Sequence, residues 1–141
     1  MLAHCVAGRT LQMARIVSAK FDDALRSTGI TAHQLTLLSM VAKRKSTTPR
    51  DMIPFLKMDQ STLSRNLSRL IDKKLLAAKP DKDDARTQRI TLTPQGRKIW
   101  RQAYAGWNQA QQWAEETFGK EDMAELRRIA EKLNPVLPKS S

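Results

Sequence analysis

Residues 58–76, MDQSTLSRNLSRLIDKKLL, and the charged segment at 79–93, KPDKDDARTQRITLT, decide the fold class of this chain. In the first segment, apolar residues recur with the 3.6-residue period of an α-helix. Asp59 precedes this stripe and is a suitable N-cap, because its carboxylate can accept hydrogen bonds from the free backbone N–H groups of the first turn. The segment therefore predicts a helix whose apolar face consists of Leu63, Leu67, Leu70 and Ile71.

The opposite face of this predicted helix has an unusual composition. It carries short hydroxyl and amide side chains together with arginines, rather than the mixture of Glu and Lys that is typical of a solvated face. Arginine can donate two hydrogen bonds to guanine, Gln can pair with adenine, and hydroxyls reach bases or phosphates. The face predicts contact with duplex DNA, and an amphipathic helix that is merely basic is the alternative. The helix residues predicted to bind DNA are Gln60, Ser61, Thr62, Ser64, Arg65 and Arg69.

Two more helices are predicted before the basic one. Residues 31–34, TAHQ, have the form of a capping box, and Thr48 stands before a proline that suits the first turn of a helix. Three successive helices with a short turn before the last form a helix-turn-helix order, in which the last helix enters the major groove. The sequence therefore predicts a helix-turn-helix lobe.

A β-hairpin is predicted after the basic helix. Polar and apolar residues alternate over 75–79 and again over 89–93, so two short strands flank a polar tip. Lys82 and Arg86 at the tip are predicted to contact DNA, because cations there can reach the minor groove. Asp84 is predicted to pair with Arg86 and stiffen the tip, and a plain solvated turn is the alternative because the tip holds three aspartates.

In this order and at these spacings, the motifs resemble the MarR/SlyA family of winged helix-turn-helix transcriptional regulators. The family's wing carries Asp-x-Arg, which Asp84 and Arg86 match, and its next helix starts at Leu-Thr-x-x-Gly, which residues 92–96 match. The resemblance implies a mainly α-helical fold with a small β-hairpin wing. It implies a single domain over 1–141, with a winged helix DNA-binding lobe at about 31–93 and dimerisation helices at about 1–28 and 94–138.

The resemblance also implies a function. Members of the family bind pseudo-palindromic DNA as homodimers, usually as repressors, and are released by a small phenolic or lipophilic ligand or by oxidation. It implies that this chain is a sequence-specific regulator that binds double-stranded DNA, forms a homodimer and responds to such an effector.

Three positions depart from the family pattern. Lys74 stands where the family usually has Gly after the recognition helix, and a left-handed cap at a residue with a Cβ costs about 1 kcal/mol. Lys57 likewise replaces the glycine in the turn before the recognition helix. Pro54 lies inside the preceding helix, where it removes one backbone donor and is predicted to kink or shorten that helix.

The positive charge of the chain is concentrated on the predicted reading lobe. The net charge is +11, and between Lys43 and Lys98 there are 15 Lys and Arg residues against 6 Asp and Glu residues. Such a concentration predicts a polyanionic partner. No segment approaches the roughly 18 consecutive apolar residues of a transmembrane helix, so no membrane partner is predicted. A single cysteine excludes an internal disulfide and favours a reducing, cytoplasmic location.

The two ends of the sequence carry apolar stripes that predict a homodimer. The first helix is predicted from Leu11 to about Gly29, a second from Pro94 to Phe118, and a third from after Gly119 to Leu137. A monomer of this size has few places to bury these stripes, so a second copy is expected to cover them. The aromatic residues of the long helix are interpreted as core or dimer packing rather than as cofactor contacts. The residues assigned to dimerisation are Leu11, Trp107, Phe118, Leu126 and Leu133.

Cys5 offers an alternative mode of regulation. His4 and Arg9 are close enough to it in a helix to favour the reactive thiolate, so redox sensing through Cys5 stands beside the interpretation of an inert packing residue. Catalysis has no motif here, because no metal-type cluster, Gly-rich phosphate loop or nucleophile and base spacing occurs. The sequence predicts no enzyme, no metal and no cofactor. A basic helical module that binds protein or RNA is the other function left open.

Overall fold

Helices and a small sheet alternate along the chain in this computed structural model, which describes residues 5–136. The mainly α-helical fold with a small hairpin wing is therefore confirmed. Predictions that concern His4, Leu137 and Pro138 lie outside the described residues. The elements are α1 (Val6–Leu25), α2 (Ala32–Arg44), β1 (Ser46–Thr47), α3 (Pro49–Leu56), α4 (Gln60–Asp72), β2 (Leu76–Pro80), β3 (Gln88–Leu92) and α5 (Pro94–Leu133), with a 3₁₀ turn at Arg26–Thr28.

Side-chain caps fix the starts of the helix-turn-helix elements α2, α3 and α4. Thr31 and Thr48 each form a capping box, in which the threonine side chain accepts from the backbone N–H three residues later and that later residue reaches back. Asp59 accepts a hydrogen bond from the Thr62 backbone N–H at 2.8 Å. The predicted starts of all three helices are therefore confirmed, because short polar side chains satisfy backbone donors locally.

The apolar stripe of α4 faces the core, as predicted. Leu63, Leu67 and Leu70 are buried, and Ile71 is partly buried against the same cluster. Burial of an aliphatic side chain contributes about 1.5–3 kcal/mol, so this stripe holds the basic helix by its inner face and leaves the outer face exposed. The core around it also contains Leu25, Ile30, Leu35, Leu37, Leu38, Val41, Met52, Leu75, Leu76, Ile90 and Ala103.

The wing is a three-stranded antiparallel sheet with the strand order β1, β3, β2. The hairpin of β2 and β3 was predicted, whereas β1 was not, because two residues give no readable alternation. The predicted strand positions, 75–79 and 89–93, are each wrong by one residue. Thr93 leaves β3 because its hydroxyl caps α5, and Leu75 belongs to the turn after α4.

The Leu-Thr-x-x-Gly segment joins α5 to the end of α4. The Thr93 hydroxyl donates to the Lys74 carbonyl at 2.7 Å and accepts from the Gly96 backbone N–H at 2.9 Å. A Cβ added at Gly96 would lie 1.9 Å from the carbonyl oxygen of Leu75. Glycine is therefore required here by the close approach of the two backbones, while its own φ is helical.

Small residues let α1 pack closely along α5. Ala103 and Ala110 are buried, and a Cβ at Gly106, between them on the same helical face, would lie 2.3 Å from the carbonyl oxygen of Ala24. The first helix begins at Val6, five residues earlier than the predicted Leu11.

A break at Gly119 divides α5 into two parts, 94–118 and 120–133, as the sequence predicts. Gly119 has φ 78° and ψ 166°, which is outside the helical region. After the second part, the buried Asn134 donates its side-chain N–H to the Phe55 carbonyl at the end of α3, at 2.9 Å. The second part therefore returns to the helix-turn-helix lobe. Within residues 5–136, no helix is long and apolar enough to cross a membrane.

Candidate nucleic-acid interface and adjoining cavity

The outward face of α4 is organised by its N-cap. The Asp59 carboxylate accepts hydrogen bonds from the hydroxyls of Ser61 at 2.6 Å and Thr62 at 2.7 Å, in addition to the Thr62 backbone N–H. These bonds stabilise the carboxylate and so hold the pKa of Asp59 well below its usual range. The hydrogen bond from Ser61 has the largest effect. The Arg65 guanidinium donates to the Thr62 hydroxyl at 3.4 Å. Thr62, which is itself held by Asp59, therefore holds the Arg65 guanidinium towards the start of the helix.

The structure leaves the predicted DNA-binding face of α4 open. Every residue of that set is exposed except Thr62, which is half-buried and engaged with Asp59. The side chains available for a groove are Gln60, Ser61, Ser64, Arg65 and Arg69.

Lys82 and Arg86 are exposed at the tip of the wing, as expected, but the tip is held differently from the prediction. Asp84 accepts from the backbone N–H of Arg86 at 3.0 Å and from the Thr87 hydroxyl at 2.9 Å. The predicted contact of Asp84 with the Arg86 guanidinium is thus replaced by one with its backbone. A carboxylate two residues before an N–H closes a local turn without ordering a long side chain.

An ion pair between Asp81 and Arg89 at the base of the tip was missed by sequence reasoning. Arg89 donates its Nε–H to Asp81 at 2.6 Å, and another guanidinium N–H to the Ser46 hydroxyl on β1 at 3.2 Å. The hydrogen bond from the Asp83 backbone N–H is the main cause that lowers the pKa of Asp81, and the hydrogen bond from Arg89 is the next. The two partners are eight residues apart, and only the hairpin register brings them together. This pair ties the tip to both neighbouring strands.

A cavity of about 620 Å³ lies between α1, α2 and α5. Its wall is mainly aromatic, and Arg101, Thr36 and Ser39 add one cation and two hydroxyls. The Trp100 indole N–H donates to the Ser39 hydroxyl at 2.9 Å, which links α5 to α2 of the helix-turn-helix lobe. The interpretation of the aromatic residues as packing residues did not predict this cavity. The sequence of one helix does not reveal which other helices lie opposite it. The aromatic wall consists of Phe21, Trp100, Tyr104 and Trp107.

The residues assigned to dimerisation occupy α1 and α5. Leu11, Leu126 and Leu133 are 58%, 44% and 78% exposed, which is unusual for leucine. Trp107 faces the cavity, and Phe118 is half-buried with its ring edge towards Trp113. Their role in a dimer stays a prediction.

Cys5 is exposed at the N-cap of α1, where its side chain forms no capping hydrogen bond. Exposure meets one requirement of a redox-active thiol, while the predicted influence of His4 lies outside the described residues. Among residues 5–136, His, Cys, Asp and Glu side chains do not gather in groups of three that could hold a metal ion.

A basic helix on a helix-turn-helix scaffold, followed by a charged β-hairpin, defines the class of winged helix-turn-helix proteins. A family model described as MarR family matches residues 28–87. A cysteine-to-serine mutant of E. coli MarR, solved with operator DNA, is 26% identical with a TM-score of 0.79 over 93% of both chains. The regulator MOSR of M. tuberculosis, solved with DNA, is 27% identical with a TM-score of 0.77, over 92% of this chain and 98% of that one.

BpsR of Bordetella bronchiseptica, whose DNA binding is regulated by 6-hydroxynicotinic acid, has a TM-score of 0.82 at 24% identity, over 94% of this chain and 95% of that one; this likeness supports the fold. Comparison with curated proteins found no significant match. Residues 28–87 match the MarR family model, and over nearly its whole length the chain has the winged helix-turn-helix fold of MarR-family transcriptional regulators.

Proposed function

We propose that this protein is a homodimeric repressor that binds a pseudo-palindromic DNA operator and leaves it when a small ligand fills the cavity between α1, α2 and α5. One observation carries the DNA-binding part: α4 buries its leucine stripe and exposes an opposite face of arginines, Gln60 and serine hydroxyls. The operator DNA bound by E. coli MarR and the DNA bound by MOSR support the same partner for this chain. The comparisons do not favour the alternative of a module that binds protein or RNA.

Each part of the interface has a separate role in this proposal. Residues near the start of α4, with Arg65 held by Thr62, enter the major groove and contact base edges. Lys82 and Arg86 on the wing contact the adjoining minor groove or its phosphates. Asp84 closes the turn that carries Arg86 and so keeps the tip compact.

A homodimer would cover the exposed apolar residues at the two ends of the chain. Val6, Leu11 and Ile16 on α1 and Leu126 and Leu133 on α5 are each more than two-fifths exposed. Exposed leucines and isoleucines in this number are typical of an association surface. Dimer symmetry would place two copies of α4 about 34–36 Å apart, one turn of DNA.

The cavity supports regulation by an aromatic ligand with an acidic or phenolic group. Its aromatic wall suits a flat ring, Arg101 suits an anion, and Ser39 and Thr36 can hydrogen-bond a hydroxyl. A ligand that separates Trp100 from Ser39 would alter the contact between α5 and the DNA-binding lobe. It would release DNA only if it binds the two arrangements with different affinity. We place this regulator in the cytoplasm and assign it no enzymatic activity.

Fluorescence anisotropy with duplex from upstream of the protein's own gene tests the proposal, with scrambled duplex as competitor and a salt series. We expect one dimer per site and a preference of about 10³ or more over scrambled DNA at physiological salt. Arg65→Ala is expected to reduce that preference, whereas Lys120→Ala, beside the break in α5, removes the same charge and should leave it unchanged. Equal binding of both duplexes, with Arg65→Ala matching wild type, would contradict the proposal.

A further inference from the structure

Within residues 5–136, three helices are followed, within two residues of their ends, by a lysine with positive φ. Lys45, Lys57 and Lys74 have φ values of 63°, 48° and 57°. This region is uncommon for residues with a Cβ, which pay a steric penalty there that glycine avoids. The chain does use glycine at two other such places, Gly29 with φ 69° and Gly119 with φ 78°. A lysine at such a position places a charged side chain on a turn that glycine would leave uncharged.

Lys57 and Lys74 lie at opposite ends of the recognition helix. Lys57 is in the turn three residues before α4 begins, and Lys74 is two residues after it ends. A 13-residue helix is about 20 Å long, so these exposed lysines are separated by at least that helix. They share residue type, exposure and backbone region but differ in position.

The backbone of Lys57 is held firmly in its left-handed conformation. Its N–H donates to the Ile53 carbonyl at 3.0 Å, and two residues later Asp59 starts α4 with a fully engaged carboxylate. The direction in which the Lys57 side chain leaves the turn is therefore fixed by contacts on both sides. The Lys57 side chain is exposed, and the nearby carboxylate of Asp59 is occupied by Ser61 and Thr62.

We propose that Lys57 contacts a DNA phosphate at the edge of the major groove, and that this contact explains a lysine where the backbone favours glycine. The inference rests on the proposed DNA-binding function. In a helix-turn-helix, the N-terminal end of the recognition helix enters the groove, so a cation in the preceding turn meets the flanking backbone. Lys74 lies beyond the other end of α4, about one helix length from that end, and its backbone carbonyl accepts from the Thr93 hydroxyl before α5.

Lys57→Gly and Lys74→Gly form a matched pair that separates strain from phosphate binding. Both variants relieve the left-handed strain, so both are expected to keep Tm or raise it by up to about 4 °C. Only Lys57→Gly is expected to lower the slope of log affinity against log salt, by about 0.9 for each lost phosphate contact, and a dimer loses two. If the affinities of wild type and variant are equal at 1 M salt, this difference in slope corresponds to roughly an 8-fold loss of affinity per contact at 0.1 M salt.

The measurement is a salt titration of full-length wild type and variants on the same duplex, together with thermal unfolding. Lys57→Arg, which keeps the charge and the strain, should restore the wild-type salt slope. An unchanged slope in Lys57→Gly, or an equal loss in Lys74→Gly, would overturn the role of Lys57. If wild type binds no duplex specifically and Arg65→Ala has no effect, the proposed function fails as well. If those two behave as expected and only the Lys57 slope is unchanged, the phosphate contact alone is refuted.

Discussion

Replacing Gly96 with alanine is expected to push the start of α5 away from the end of the recognition helix. The new Cβ would lie 1.9 Å from the Leu75 carbonyl oxygen and 2.8 Å from its carbonyl carbon. Ordinary contacts begin at 3.4 Å, so one of the two backbones must move by about 1.5 Å. No flexible side chain can take up this displacement, because the nearest atoms belong to the backbone.

The energetic effect follows from three contributions. Forced overpacking costs about 1–3 kcal/mol. Weakening the hydrogen bond that the Thr93 backbone N–H donates to the Leu75 carbonyl at 3.2 Å costs about 0.5–1.5 kcal/mol more. Alanine recovers up to about 1 kcal/mol through its higher helix propensity. The net destabilisation is about 2 kcal/mol, and a domain of this size should lose about 4–8 °C in Tm.

Thermal unfolding followed by circular dichroism at 222 nm measures this loss, with Gly8→Ala as the matched control. A Cβ at Gly8, in α1, meets its nearest neighbours at 3.8 Å, so the same substitution there should leave Tm unchanged or raise it slightly. DNA affinity should also fall in Gly96→Ala, because α5 and the end of α4 share this contact. A Gly96→Ala protein as stable as wild type would refute the close approach on which the argument depends.

Three further outcomes test the wing, the dimer and the cavity. Arg89→Ala should loosen the wing tip, measured as lower hydrogen-exchange protection there, and should weaken duplex binding, measured by anisotropy. Because the pKa of Asp81 is lowered in the fold, its contribution is present above the unfolded carboxyl pKa near 3.8 and is lost as pH falls through the lower folded value; tip protection factors, corrected for intrinsic exchange, that stay constant throughout an acid titration would contradict this. Leu133→Asp should shift the protein from dimer to monomer in sedimentation velocity, whereas Lys132→Asp should not, and a monomeric wild type would exclude the proposed assembly. An aromatic carboxylate should quench the fluorescence of Trp100 and Trp107, which line the cavity, and Arg101→Ala should weaken its binding about tenfold, or 1.4 kcal/mol; equal binding of the neutral amide would exclude the role of the cation.

The local features of the fold were predictable because their causes lie within a few residues. Caps at Thr31, Thr48 and Asp59 act over three residues, and the leucine stripe of α4 follows from helical periodicity. The replacement of two family glycines by lysine was a poorer guide to the backbone conformation. Lys57 and Lys74 retain the left-handed conformation without glycine, because backbone hydrogen bonds to Ile53 and Ile71 hold the two turns. A penalty of about 1 kcal/mol is too small to override such tertiary and local contacts.

By itself, the sequence determined the three helices of the helix-turn-helix, the hairpin and the polar face of α4, since each depends on periodicity and short-range hydrogen bonds. Only the tertiary structure decided which distant groups meet. It joined Arg89 to Asp81 and Ser46, placed Gly96 against Leu75, and assembled an aromatic cavity from three separate helices. These contacts depend on strand register and helix packing, which the spacing of residues along one element does not encode.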